Sequence, residues 1–518
     1  MKTAIKRRTF LGTGAAAAAT AAGFGPLALT GRAHAQSPQT GGVLRLGLDG
    51  GSTSGDSLDP RRTVGVFSNV TSRQIYNGLV VAGVDGSATP ELAESWEVSN
   101  GNTVWIFKLR PGVTFHDGKA LTSADVAYSL NLHRGETAES SFKSQLSSVA
   151  EIATPDQATV VITLSGGNPD FPFTLTDWRA AVVQDGTTDF TLPVGTGPFK
   201  LTSFEPGVKS TGTRNPDYWK EGQPYVDEVQ NIVINDATAR SAALRNGDVD
   251  IIDNVDFKTA GLLGRLDDIN VWETQGRQHF TFPMNAQLAP FDNVDVALAI
   301  KHGFDREAFV KTILRGHGSV GNDNPIPKSD PFYSAELEQR IYDPERSRFH
   351  LQKAGLESID VTLDVSRTPY GQAVDAAILM AEGAKNGGVN IKVNQVPEDG
   401  YWKNVWLKSA WCASFWSGRP TADLMFSAAY SQGSSWNETR WHNERFEQLL
   451  VEARSESDAA ARKAKYAEMQ LLVHNECPTV IPAFASYLDA GRANVMGWEP
   501  NPNFRLHDFR IAETVWFG

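Results

Sequence analysis

The chain has 518 residues, 60 acidic against 48 basic side chains, and a formal net charge of −12 at pH 7. That excess of negative charge excludes nucleic acid and anionic membrane surfaces as general partners, although an arginine inside a cleft can still reverse the field around an anionic ligand. A single hydrophobic core stops growing well below this length, so two or three domains are expected.

Residues 1–35 read as a secretion signal. Lys6-Arg7-Arg8-Thr9-Phe10-Leu11 is a twin-arginine start, Ala15 to Ala22 with Phe24 to Leu29 supplies a mildly apolar stretch, and Ala33-His34-Ala35 is an A-x-A cleavage site. The stretch is too short and too rich in Gly and Ala for a membrane anchor. No cysteine follows it to carry a lipid, and no other segment is long and apolar enough to cross a bilayer. Maturation at Gln36 and export to the periplasm follow as expectations.

Downstream, strand patterns alternate with capped helices. Val43 to Leu48 alternates as an opening strand, and Val104 to Leu109 and Thr159 to Leu164 do the same. Thr122-Ser123-Ala124-Asp125 is a capping box for a helix running to about Leu132. Asp236 caps a helix ending near Asn246, where Gly247 suits the left-handed position after the last turn. Asp305 to Gly316 repeats the design, and Asp343-Pro344 opens another helix that stops at Gly355. Residues 443–475 read as two amphipathic helices broken around Ser455 to Asp458. The fold class is therefore mixed α/β. The two cysteines, Cys412 and Cys477, could form a disulfide in an oxidising compartment or stand as buried thiols, and spacing does not choose between these.

Catalytic signatures are missing. Gly316-His317-Gly318-Ser319-Val320-Gly321 has the dinucleotide-binding spacing but follows a helix instead of a strand, which makes it a turn. Gly118-Lys119 lies one residue too far from Gly112 for a phosphate loop, and Ala120 replaces the required hydroxyl. Gly51 to Gly55 carries Thr53 where a nucleophile elbow needs Ser. There is no H-E-x-x-H and no paired-cysteine motif, and the ten histidines are scattered, so neither enzyme activity, cofactor nor resident metal is expected.

A set of ordered blocks carries a family resemblance. Pro90-Glu91-Leu92-Ala93-Glu94-Ser95-Trp96-Glu97-Val98 continues through Phe107 to Gly118 and into Ala124-Asp125-Val126. Ser57-Leu58-Asp59-Pro60, Gly195-Thr196-Gly197-Pro198-Phe199, Asn215-Pro216-Asp217-Tyr218-Trp219, Leu244 to Asp250, Pro290-Phe291-Asp292-Asn293 and Phe304-Asp305-Arg306-Glu307 occur in the matching order. Over nearly all of its mature length the chain resembles family 5 of the bacterial extracellular solute-binding proteins, the dipeptide-, oligopeptide-, nickel- and opine-binding group. The resemblance implies a two-lobed periplasmic-binding fold (type II, cluster C). Lobe I would comprise 36–65, 185–284 and 481–518, an extra β-rich subdomain 66–184, and lobe II 285–480, with hinges near Met284 and Pro478. It also implies a monomer that captures a small molecule and delivers it to the membrane permease subunits of an ABC importer. A receptor for a sensor or chemoreceptor is the alternative, and a secreted hydrolase or redox protein a more distant one.

Residues 401–441 hold six of the 13 tryptophans. Trp402 and Trp406, four apart beside Val405, read as core packing. Phe415-Trp416-Ser417-Gly418-Arg419-Pro420-Thr421-Ala422-Asp423 resembles the family's pocket loop, where peptide binders place an acid that holds the α-ammonium group. Arg419 stands at that position here. A guanidinium cannot accept from an ammonium, but it clamps a carboxylate or phosphate through two parallel N–H bonds. Either Arg419 does this, or it pairs with Asp423 four residues on. The first reading implies a solute bearing an acidic group: opine-like, sugar-phosphate, polycarboxylate or acidic peptide. The resemblance adds Trp416 and Asp423 as ligand contacts and, by approximate alignment, Arg367, Tyr370, Trp436 and Asn437, for each of which surface or core packing is the competing reading.

Overall fold

The computed structural model describes residues 37–518; the expected signal peptide lies outside the described residues. The first sheet has seven strands, in the order Ile269–Thr274, Tyr487–Arg492, Ile251–Ile252, Val43–Leu48, Glu228–Val233, Lys209–Arg214 and Phe199–Glu205. Val43–Leu48 lies parallel to both its neighbours. Its position explains its sequence, for Leu44, Leu46 and Leu48 are sealed in a core with Phe67, Val229 and Ile251. A central strand covered on both faces is apolar along most of its length.

The second sheet orders Gly318–Val320, Ala483–Ala485, His279–Pro283 and Ser414–Trp416, with Thr479–Val480 also pairing to His279–Pro283. The parallel pair Ile359–Val365 and Val389–Gln395 extends it through the Asp364–Cys412 and Met284–Trp411 bridges. Helices Val294–His302 and Ala373–Lys385 pack against this layer through Ile300, Ala377 and Met380. A third, antiparallel sheet of Ala93–Ser99, Val104–Leu109, Thr159–Leu164 and Val149–Asp156 has its own core around Phe107, Val126, Phe142 and Phe171.

The caps form as their chemistry dictates. The Asp125 carboxylate accepts from the Thr122 N–H at 2.8 Å, the reciprocal bond of the capping box. Asp236 accepts from the Ala239 N–H at 2.7 Å, and Gly247 closes that helix at φ 80°. The break near Ser455 to Asp458 separates helices Glu444–Ser455 and Ala459–Glu476.

Two boundaries differ from expectation. Helix Val66–Ile75 packs through Phe67 and Val70 on the seven-stranded sheet, so it is not the start of the third-sheet region, whose core begins at Leu79. The chain passes from first to second sheet at 275–278 and returns at Ser486, not near Met284 and Pro478. Both of those residues lie in or beside strands of the second sheet, where ladder hydrogen bonds hold the backbone. Gly276 is required at the outgoing passage, because a Cβ there would stand 2.3 Å from the Tyr487 ring.

Candidate functional site

Both passages open onto a cavity of about 600 Å³ between the first and second sheets. Asn69, Trp178, Arg179, Tyr487, Phe504 and Arg505 line it from one side; Phe280, Tyr370, Phe415 and Ser417 line it from the other. That volume lies within the roughly 300–1,000 Å³ range of small-molecule sites.

The aromatic walls are fixed by packing. Tyr370 stacks on Phe280 at 3.8 Å between ring centroids. Phe504 stacks on Phe509 at 5.1 Å, and Trp178 meets both edge-on at 5.2 and 5.5 Å. What brings Phe504 and Phe509 together is a left-handed helical turn. Leu506, His507, Asp508 and Phe509 all have φ between 52° and 64°. The Asp508 and Phe509 N–H groups donate to the Phe504 and Arg505 carbonyls at 3.2 and 3.1 Å. Each L-residue wound this way costs roughly 1–2 kcal/mol. Side-chain ties offset the cost: the Leu506 N–H donates to Asp489 at 2.7 Å, Asn503 Nδ2 to Asp508 at 2.9 Å, and Asp508 is fully buried beside Arg73.

The charges in and beside the cavity divide into compensated and uncompensated. Arg179 forks onto Asp177 with bonds of 2.7 and 2.8 Å. Arg505 lies 3.4 Å from Asp253 and 3.7 Å from Asp49. Arg419 has no such partner. Its Nη1 donates to the Ser417 and Gly418 carbonyls, both at 3.2 Å, and no carboxylate lies within 4.0 Å of it among the described residues. Burial, reinforced by the positive charge of Arg179, pulls its guanidinium down to about 10. The loop presenting Arg419 is held by close contact: a Cβ on Gly418 would meet that of Arg277 at 2.6 Å, and Arg277 is itself ion-paired to buried Asp330.

The expected contacts fare unequally. Tyr370 lines the cavity. Arg419 stands two residues beyond the lining Ser417, with its guanidinium over the Trp416 ring at 5.5 Å. Asp423 does not pair with Arg419: buried at the start of helix Ala422–Ala429, it binds Arg454 at 3.1 Å. Trp416 belongs to the core behind the cavity, its indole donating to Glu438 at 3.0 Å. Asn437 is spent on backbone, donating to the Trp441 carbonyl at 2.9 Å. Trp436 is exposed and tilts against Trp416, and Arg367 is exposed outside the lining. Trp402 is also exposed rather than core, while Trp406 donates to Glu438 at 2.7 Å. Both cysteines are buried free thiols, and burial pushes Cys477 up to about 12. His116 serves structure: its ring contacts the Gly197 carbonyl at 3.0 Å and accepts from the Gly195 N–H at 3.3 Å.

Sequence reasoning missed Asn69, Trp178, Arg179, Tyr487, Arg505 and the Phe504–Phe509 pair. The run Asp177-Trp178-Arg179, an indole between opposite charges in a loop, was a usable signal. Phe504 and Phe509, five apart, match neither helical nor strand spacing.

Residues 87–438 match the model of the bacterial extracellular solute-binding proteins, family 5 (middle region). The chain belongs to that family. It is 26% identical over 492 residues to the dipeptide-binding protein of Escherichia coli K12, covering 86% of this chain and 90% of that one. It is 28% identical over 483 residues to heme-binding protein A of Haemophilus influenzae, covering 85% and 86%. The structure of the binding protein AgaA of A. tumefaciens R10 in complex with agropinic acid superposes with a TM-score of 0.79 at 28% identity, over 92% of this chain and 99% of that one. The family's extracellular solute-binding role accounts for an open cleft between two sheets.

Proposed function

We propose that this chain is the periplasmic receptor of an ABC importer, exported by the twin-arginine route, and that it captures a small solute bearing an acidic group. The cavity between the sheets is the binding cleft, and the passages at 275–278 and Ser486 are the hinges about which the halves close over the guest. Relatives that include a dipeptide-binding protein and a structure holding agropinic acid support capture of a peptide-like or opine-like compound.

The observation that carries the acidic-group reading is Arg419. A part-buried guanidinium with no carboxylate within 4.0 Å among the described residues is left with donors that an anion can complete. A charge-assisted hydrogen bond contributes about 1.5–3 kcal/mol, so Arg419→Ala should weaken an anionic solute by roughly 10- to 100-fold and leave neutral solutes unaffected. Calorimetry on the purified protein against paired anionic and neutral solutes checks this. An unchanged dissociation constant for the anion in the variant removes the clamp.

A further inference from the structure

The third-sheet region is tied to the first-sheet half by many contacts. Lys220 pairs with Glu91 at 3.0 Å and with Glu513 at 2.6 Å. Asn501 and Arg510 both donate to the Ala82 carbonyl at 3.0 Å, and the His116 N–H donates to the Gly195 carbonyl at 2.9 Å. Towards the second-sheet half, residues 79–183 make a single hydrogen bond among the described residues: the Arg462 guanidinium donates to the Asp170 carboxylate. Asp170 precedes the short helix Phe171–Thr174, whose Phe171 sits in the third-sheet core. Arg462 projects from helix Ala459–Glu476, which shares a core with Trp416 and Phe426. The two residues are only 6% and 7% exposed.

What backs the pair leads to a hinge. The Arg462 guanidinium lies over the Phe332 ring at 4.8 Å, the Phe332 N–H donates to Asp330 at 2.8 Å, and Asp330 holds Arg277 in the outgoing passage. Other charged contacts between the halves are more exposed. Lys258 meets Asp375 at 3.2 Å with both side chains about half in water, and Glu273 meets His317 at 2.9 Å. Exposed pairs of that kind contribute little.

We infer that Asp170 and Arg462 form a latch that favours the drawn-together arrangement of the two halves without touching the solute, and does so before any solute arrives. This rests on the reading of 275–278 and Ser486 as hinges. The third-sheet region travels with the first-sheet half, so swinging the halves apart separates the pair and returns each charge to water. Drawn together, both charges are desolvated and each depends on the other. Removing one partner therefore penalises the drawn-together arrangement alone. A receptor that spends more of its time drawn together asks less of its guest, so the latch raises affinity for every solute alike, whereas Arg419 discriminates by charge.

The test reads the distance between the halves in the ligand-free protein. Spin labels go on Glu151→Cys, on a strand of the third sheet, and Val451→Cys, on helix Glu444–Ser455; both positions are exposed, and the native thiols are buried. Pulsed electron spin resonance should show a distinct short-distance population. Arg462→Met and Asp170→Asn should each cut it at least roughly fivefold, because each strands a buried partner. Methionine keeps the stem that packs on Phe332 and Tyr466, and asparagine keeps the shape of the carboxylate, so both variants should fold, which circular dichroism checks. The double variant should lose less than the product of the single losses, since both remove one interaction. Lys258→Ala should change the population less than about twofold. A single long distance in the wild type, an unchanged population in both single variants, or losses that multiply in the double variant would overturn the latch. Calorimetry with the paired solutes reads capture separately, so a failed latch leaves wild-type binding in place, and loss of that binding would count against the receptor reading instead.

Discussion

The segment 401–441 and the turn 504–509 make an instructive pair. The first is crowded with tryptophans and looks like a binding site, yet its indoles mostly face inward. Trp406 and Trp416 donate to the two oxygens of one buried carboxylate, Glu438, which also accepts from the Thr281 hydroxyl at 2.8 Å. The second is a short, unpatterned stretch that supplies two aromatic rings and an arginine to the cavity. Aromatic abundance marks a comfortable core in one case, and strained backbone marks the site in the other. Large aromatic side chains are core material first; they become ligand surface only where the backbone prevents them from packing inward.

The sharpest way to break this contrast is Glu438→Ala. Two indoles and a hydroxyl would lose their acceptor at once, and each unsatisfied buried group costs about 1–3 kcal/mol. A loss of about 3 kcal/mol or more in denaturant unfolding is expected, with a change in tryptophan fluorescence. A variant as stable as wild type would mean the tryptophan segment is not core. Next comes Arg454→Leu, which strands the buried Asp423 carboxylate and should cost about 3 kcal/mol. The loss should shrink in acid as Asp423 takes up a proton, because burial already raises its carboxyl above the usual range.

The turn is probed through Asp489, whose carboxyl is pushed up to about 6 by burial while it anchors the Leu506 N–H. The folded protein holds this proton in a range where the unfolded chain has released it. Asp489 therefore subtracts stability progressively as pH rises from about 4 to about 6. Asp489→Asn should match wild type near pH 4 and exceed it by about 1–3 kcal/mol near neutrality; a variant that tracks wild type at every pH would refute the assignment. The smallest effects belong to Arg367→Ala and Trp436→Ala, both exposed and off the cavity lining. Changes within about 0.5 kcal/mol for Arg367 and 1 kcal/mol for Trp436, with binding unaltered, are expected.

Local chemistry was legible from the residues. Asp236, Asp305, Asp343 and Thr122 announce their helices because each cap is satisfied within a few residues. The blocks of the family signature likewise point to the fold. What the residues hide is longer in range. Nothing near Asp423 reveals that its partner is Arg454, thirty-one positions on, rather than Arg419. The passages at 275–278 and Ser486 carry no linker composition, since a single residue suffices for the return. A left-handed turn made of Leu, His, Asp and Phe has little sequence signal, because Asp and His enter that region only as scattered single positions and Leu and Phe rarely enter it at all.

The turn also sorts the cleft into parts that can drift and parts that cannot. Altering any of its four residues disturbs a conformation maintained by ties to Asp489, Asn503 and Arg73, so the aromatic walls should be inherited almost whole. Asn69 Oδ1 and Ser486 Oγ, by contrast, have no hydrogen-bond partner among the described residues, so these side chains are less tied to the scaffold. A lineage acquiring a new nutrient would therefore rewrite those two positions first and keep the rings as fixed furniture.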